Sequence, residues 1–390
     1  MDAEKQESKV ISQTAWDMLY LIHCAIEQSK PDFGRLAQMD QKRLYALASF
    51  HSLTALVGTA LEGMNTGEME TVWKEAVSKA IRKTLLFDAE RAELFSWMEE
   101  RKIWYAPLKG VVLKDYYPVY GTRQMADNDI LYDASHATEV RDWFVQHGYE
   151  VKVFAAGVHD SYLKAPIFNF EMHRMLFSPS QETWSAYYEN VKDRLIKDEG
   201  NGYGYHFTDE DFYVYFFTHA AKHFTGGGTG LRSLIDLYLY ISNKPNLDWS
   251  YIEKELEKLR LREDEKNMRE LANAVFGRSV LLPEEALTSD QYALLYTIIS
   301  SGTYGTITQR ITNTMRKNGW GRLRYMLHRF FVPMSKTNPL YSDYAGQYPF
   351  FYKHRILLPL LPFYRTFRAM KDGRFRAEAR AISKAAKEQS

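Results

Sequence analysis

From Ile167 to Phe177 the chain holds a stretch in which apolar and polar residues alternate. Successive side chains of an extended chain point to opposite faces. Phe168, Phe170 and Met172 therefore fall on one face, and Asn169, Glu171 and His173 on the other. A segment with this period belongs to a sheet that has one apolar and one polar face. It does not fit a helical bundle, yet most of the remaining chain reads as helix, and that combination narrows the fold.

The first hundred residues look helical. Ala15 to Ile26 is dense in apolar residues, and Met69 to Glu100 mixes charge with Trp73, Leu86, Leu94, Phe95 and Met98 without Gly or Pro. Ile103 to Leu108 then predicts a short strand, followed by Lys109-Gly110 and a short helix from Val111 to Tyr116 that stops before Pro118. Asp127 to Tyr132 and Tyr149 to Phe154 predict two more strands around a helix from His136 to Gln146, which His147-Gly148 ends. From about Gln181 the pattern is helical again. Thr208 with Asp211 resembles a capping box before Phe212 to Phe224, and further helices are expected at Leu231–Ile241, Tyr251–Leu259, Glu265–Phe276 and Asp290–Ile299. The expected class is α+β, a small mixed sheet flanked by helical regions. The expected division is an N-terminal helical region at 1–100, an α/β core at 101–180, a helical domain at 181–315 and a basic helical tail at 316–390.

The chain has 390 residues, of which 45% are hydrophobic and 25% charged, so it has the make-up of a folded protein. Disordered chains, collagens, disulfide scaffolds and coiled-coil rods are excluded. The single cysteine, Cys24, lies in an apolar helical stretch and reads as a buried thiol in a reducing compartment. The first residues show no signal-peptide pattern, and the late apolar run Ile356–Tyr364 is nine residues long and holds Pro359 and Pro362. A bilayer span needs about 20 apolar residues, so a cytoplasmic location is expected. The net charge of +1 hides an asymmetry: residues 316–390 carry 16 Lys and Arg against four acidic residues. Such a tail can dock on the acidic remainder of the chain or contact phosphates or an anionic surface.

The chemistry centres on Asp127-Asn128-Asp129. Residues i and i+2 of a strand share a face, so two carboxylates stand about 7 Å apart at the backbone and repel unless a cation lies between them. Mg²⁺ commonly takes one or two carboxylates together with substrate phosphates. Seventeen residues upstream, Lys109-Gly110 sits at a strand-to-helix turn where a phosphate can approach backbone N–H groups. Lys109 and Arg123 add cationic groups for phosphate. Glu171, on the polar side of the alternating strand, is the favoured third carboxylate, with Asp133 and Asp160 as competitors.

The runs WYAPLKG (104–110) and YYPVYGTRQMADNDILYD (116–133) resemble an uncharacterised nucleotidyltransferase-like family, whose members read LKG and then R-x-M-x-D-x-D. That family belongs to the polymerase-β-like nucleotidyltransferase superfamily. HAAKH (219–223) and LRSLIDLYLY (231–240) look like its helical half, so the likeness covers roughly 85–245. It implies that Asp127, Asp129 and Glu171 hold Mg²⁺ or Mn²⁺ and act in catalysis, and that Lys109, Gly110 and Arg123 bind a nucleoside triphosphate. It further implies nucleotidyl transfer to a hydroxyl with release of pyrophosphate. The acceptor is left open among a protein side chain, an RNA 3′ end and a small metabolite. Three positions depart from the superfamily pattern: Val111 follows Gly110 where Gly or Ser is usual, Asn128 replaces an apolar residue, and Ala126 replaces Gly. These departures motivate an alternative, a binding protein on the same fold with little or no activity. A nucleotide-sugar glycosyltransferase is disfavoured, because a helical region rather than a nucleotide-binding α/β unit precedes the D-x-D.

His219 and His223 share a helix face, but no Glu follows His219, so a zinc-protease motif is absent. They are expected to pack against the sheet, with substrate contact as the alternative, and the same two readings apply to His173. Gly226 to Gly230 lacks the Lys-Ser/Thr of a P-loop and reads as a helix stop or hinge. Asp236 is expected to pair with Arg232. The aromatic and basic run Tyr341–Arg355 reads first as helical core and second as a base-stacking surface.

Overall fold

The computed structural model describes residues 10–200, 202–278, 286–303, 305–331, 344–345, 347–371 and 374–387. Four N-terminal helices, α1 (Gln13–Ile26), α2 (Phe33–Leu36), α3 (Gln41–Phe50) and α4 (Thr54–Ala60), lead into the long α5 (Glu70–Glu100). The Ser12 hydroxyl caps α1 by accepting from Ala15 N, and the Asp32 and Asp40 carboxylates do the same for α2 and α3. With no Gly or Pro to interrupt it, α5 runs for 31 residues and buries Trp73, Ala76, Ala80, Thr84, Phe87, Arg91, Leu94 and Met98. That three-then-four spacing is one helix face.

The central sheet has five strands in the order β1-β2-β5-β4-β3: β1 (Tyr105–Pro107), β2 (Asn128–Tyr132), β3 (Glu150–Val153), β4 (His159–Lys164) and β5 (Phe168–His173). Strands β2 and β5 run parallel and the other pairs antiparallel, so the sheet is mixed. The fold is α+β with helical flanks. Between β1 and β2 lies the short α6 (Gly110–Leu113), and α7 (Ala137–Gln146) joins β2 to β3. After α8 (Glu182–Tyr187), a ribbon of β6 (Leu195–Lys197) and β7 (Tyr205–Phe207) precedes α9 (Asp209–Gly226), whose Thr208 cap accepts from Asp211 N. Then come α10 (Leu231–Asn243), α11 (Trp249–Lys258), α12 (Arg262–Phe276), α13 (Ser289–Ser301) and α14 (Ile307–Asn318). Helical segments Arg322–Phe331, Pro349–Lys353, Leu361–Lys371 and Arg374–Lys387 complete the described chain.

Three strands, β4, β6 and β7, are not expected from sequence. In β4, His159-Asp-Ser-Tyr-Leu-Lys, the apolar residues Tyr162 and Leu163 are adjacent, so no alternation marks it. It forms because it is paired on both sides, to β3 and β5. Asp127 was expected inside its strand, but it lies just before β2. Part of the run Tyr341–Arg355, at 341–343 and 346, falls outside the described residues.

The two sheet faces meet different cores. Ile130, Tyr132, Tyr162, Phe170 and Met172 pack with Val140, Trp143 and Phe144 of α7 and with Leu94 and Met98 of α5. The opposite face contributes Ala106, Leu108 and Leu131 to the main core, which draws on both the N-terminal helices and α9–α13. The polar side of β5 thus looks toward the helical half. Cys24 is buried in the main core. Among the described residues no helix is long and apolar enough to cross a membrane.

Candidate active site

Register brings the carboxylates together. Strands β2 and β5 pair with Asp129 opposite Glu171 and Leu131 opposite His173, and β4 sets Ser161 opposite Glu171 and His159 opposite His173. Since β-pairs on one face stand about 5 Å apart, this register makes a polar patch of Asp129, Glu171, His173 and His159, with Asp127 at its rim. The ligand atoms of His159, Glu171 and His173 lie within 4.8 Å of one another.

Lys109 closes the patch from the β1 side. Its backbone has φ 47° and ψ −119°, a left-handed conformation rarely adopted by residues other than glycine, which costs about 1–3 kcal/mol. The turn aims its ammonium at the patch, where Nζ donates to Asp129 Oδ1 at 2.7 Å and lies 3.4 Å from His173 Nε2. His173 Nε2 is 2.8 Å from the same Asp129 oxygen. Burial pushes the Asp129 carboxyl up, but the Lys109 charge and His173 outweigh it and hold it well below the ordinary carboxylate range. The other two carboxyls move the other way. Burial and then Asp129 push Asp127 up to about 6, and burial followed by Asp129 and Asp127 pushes Glu171 up to about 8. Three carboxyls that shift each other this strongly form one electrostatic unit.

Gly110 does not face an open phosphate cradle on every side. A Cβ there would run into Arg123 Nη1, so glycine leaves room for the guanidinium packed over it. Arg123 itself is buried and forked onto Asp236, with Nε donating to Oδ1 and Nη2 to Oδ2, both at 2.8 Å. Tyr117 O–H donates to Asp236 Oδ1 at 2.8 Å. Asp236 is thus held by Arg123 and Tyr117, partners not expected from the sequence, while Arg232 Nη1 donates to the Gln124 carbonyl at 2.9 Å. The Arg123–Asp236 pairing joins positions 113 residues apart, and nothing local marks it.

Asn128 also has a specific place. It is fully buried on the α5 side, where its Oδ1 accepts from Arg91 Nη1 at 2.7 Å. Arg91 in turn pairs with Asp88, which also accepts from Tyr120 O–H at 2.7 Å and lies 3.2 Å from Lys114 Nζ. The polar residue between the two aspartates thus reads a buried arginine. Asp133 caps the turn at Ala134–His136 by accepting from Ser135 N. Asp160 accepts from Ala155 N at 2.7 Å and from Tyr132 O–H at 3.1 Å. Both competitors of Glu171 are engaged away from the patch.

Helix α9 walls the patch. The Nε2 atoms of His219 and His223 are 3.3 Å apart, and both rings sense Lys109 and Asp129. Burial first, then neighbouring charges, lower both, His223 to about 4 and His219 well below its ordinary value. His159 is likewise lowered to about 4 by burial and His173. Lys222 lies near Lys109, Glu171 and Asp129, and burial lowers its pKa. Sequence reasoning missed His159 and Lys222. His159 sits on the unrecognised β4, and the HAAKH motif drew attention to its histidines and not to the lysine between them.

The loop after α9 is a tight stop. The Asn313 side-chain amide of α14 lies 3.1–3.4 Å from the Phe224, Thr225 and Gly226 carbonyls, and Thr306 N donates to Gly227 O at 2.8 Å.

A family model described as "Uncharacterised nucleotidyltransferase" matches residues 37–277, more than half of the chain. No curated protein and no solved structure matches it.

Proposed function

The chain belongs to the uncharacterised nucleotidyltransferase family, and from that premise we propose that it transfers a nucleoside monophosphate from a nucleoside triphosphate to a hydroxyl acceptor. The observation that carries this reading is the register of β2 and β5, which sets Asp129 opposite Glu171 beside Asp127. A hard divalent cation, Mg²⁺ or Mn²⁺, suits this donor set. The carboxyl groups of Asp127 and Glu171 are raised by burial and by neighbouring carboxylates, a strain that a cation relieves. Asp127, Asp129 and Glu171 would hold it, with His159 and His173 beside them. When bound, such an ion neutralises phosphate oxygens and lowers the pKa of an acceptor hydroxyl.

The chain's own residues divide the remaining work. Lys109 and Lys222, each close to Asp129 and Glu171, supply positive charge for the triphosphate. Arg123, tied to Asp236, backs the Lys109-Gly110 turn and so positions it. The acceptor oxygen bonds to the α-phosphorus, the bond from that phosphorus to the α–β bridging oxygen breaks, and pyrophosphate departs with the electron pair. The acceptor proton passes to the ionised Glu171 carboxylate, the form that the Lys109 charge favours.

One observation favours a second reading. Lys109 Nζ already occupies Asp129 Oδ1, so a nucleotide-binding protein without transfer activity is the alternative. The deciding experiment incubates wild type, Asp127→Ala and Asp129→Ala with the four α-labelled triphosphates, Mg²⁺ or Mn²⁺ and a cell extract. Label on one fraction with wild type only, reduced at least 100-fold in both variants, is expected, and unchanged transfer in the variants overturns the proposal. Metal-dependent nucleotide binding with no pyrophosphate release identifies the alternative.

A further inference from the structure

The C-terminal helices carry an exposed surface that the nucleotidyl-transfer reading does not use. Helix Arg322–Phe331 is fixed to the protein through Tyr325, which packs with Ile311 and Met315 of α14 and with Ala381 and Ile382. At about 100° per residue, Leu323, Leu327 and Phe331 lie roughly 160–240° around the helix from Tyr325, on the opposite side. They are exposed, Leu323 by 72%. Helix Leu361–Lys371 repeats the arrangement. Leu361 and Pro362 are buried, while Phe363, Phe367 and Met370 lie roughly opposite Leu361 and are exposed, Phe367 by 64%.

The two stripes are neighbours. The rings of Phe330 and Phe363 meet edge-on with centroids 5.2 Å apart, and Arg365 Nη1 donates to the Arg329 carbonyl at 3.5 Å. Ile356, just before the second helix, is 93% exposed. The sequence of 316–390 holds 16 Lys and Arg against four acidic residues. At the same roughly 100° per residue, Arg324 and Lys371 border the exposed stripes, while Arg322 and Arg368 project nearer the Tyr325 and Leu361 sides.

We propose that the adjacent exposed stripes of Arg322–Phe331 and Leu361–Lys371 are a docking surface for an anionic lipid bilayer, with the helices lying in the plane of the interface. Leu, Ile, Met and Phe on one side with arginine and lysine around them is the pattern of an interfacial helix, in which apolar burial and attraction to acidic headgroups add. Nucleic acid is a poorer match, because base stacking uses aromatic faces and gains little from Leu323, Leu327, Ile356 and Met370. The surface shares no residue with the carboxylate patch.

The full chain is tested by co-sedimentation with vesicles of phosphatidylcholine alone and of phosphatidylcholine with 30% phosphatidylglycerol. Binding to the anionic vesicles at least tenfold above the neutral ones is expected, and it should fall as salt rises. Leu323→Ser/Leu327→Ser and Phe363→Ser/Phe367→Ser should each lower it at least tenfold while leaving the circular dichroism spectrum and melting temperature unchanged. Absence of vesicle binding overturns the proposal, as does binding that the serine variants keep. It is also overturned if light scattering shows a dimer that the same variants dissociate, or if the chain binds single-stranded RNA and the serine variants lose that binding while vesicles do not compete.

Discussion

Lys109 is the residue on which the candidate site turns. It is held in a strained backbone conformation, and its ammonium is the nearest cation to Asp129, at 2.7 Å. Without it, Asp129 would face Asp127 and Glu171 without the cation that most offsets its burial. Removing one member of a buried ion pair costs about 3–5 kcal/mol, because the other charge is left uncompensated. Lys109→Met should therefore lower the melting temperature of the metal-free protein by several degrees. Millimolar Mn²⁺ should restore most of that loss and stabilise the variant more than it stabilises wild type, since the ion supplies the missing charge. Thermal melts with and without Mn²⁺ check this. A variant that melts like wild type without metal would mean that Lys109 does not balance the carboxylates.

At the scale of elements, what could be read from the sequence follows from how local each signal is. β5 announces itself because one face must be apolar and the other polar, and Asp127-Asn128-Asp129 does so because its pairing needs only neighbouring residues. β4 gives no such signal, since its place comes from pairing with β3 and β5, and His159 was lost with it. The Arg123–Asp236 fork and the approach of Lys222 to Glu171 arise only when α9 and α10 fold against the sheet. The stop after α9 is another such contact. The terminal carbonyls of a helix lack partners within it. Here Asn313 of α14 meets the carbonyls of Phe224, Thr225 and Gly226. Asn313→Ala should cost about 1 kcal/mol, the usual net worth of such bonding. Hydrogen exchange should quicken at 225–230 and stay unchanged in the central sheet. Exchange that quickens equally in both places would contradict the idea that α14 acts locally on the end of α9.

At the scale of the whole molecule, His51 joins parts far apart in sequence. Its ring stands just after α3, fully buried, with Nε2 3.1 Å from the Ile299 carbonyl of α13 and Nδ1 accepting from Leu231 N of α10 at 3.2 Å. The N-terminal helices and the helical half share one core, so a proton on this ring is felt at their junction. Burial lowers its pKa from 6.5 to about 4, against the weaker pull of the Ile299 carbonyl. A depressed folded-state pKa means that the unfolded chain takes up the proton first as pH falls. The stability contributed by the neutral ring is complete above about 6.5, drains away between 6.5 and 4, and is gone below that. A shift of this size corresponds to about 3 kcal/mol. His159 and His223 are lowered to a similar value, so they add a loss of the same sign, and the wild-type slope alone does not isolate His51. Its share is the difference between wild type and His51→Gln. In denaturant titrations at pH 7, 6, 5 and 4, the variant should start less stable and lose less on acidification, with the two curves converging toward pH 4. Parallel curves across that range would show that the junction does not sense protonation of His51.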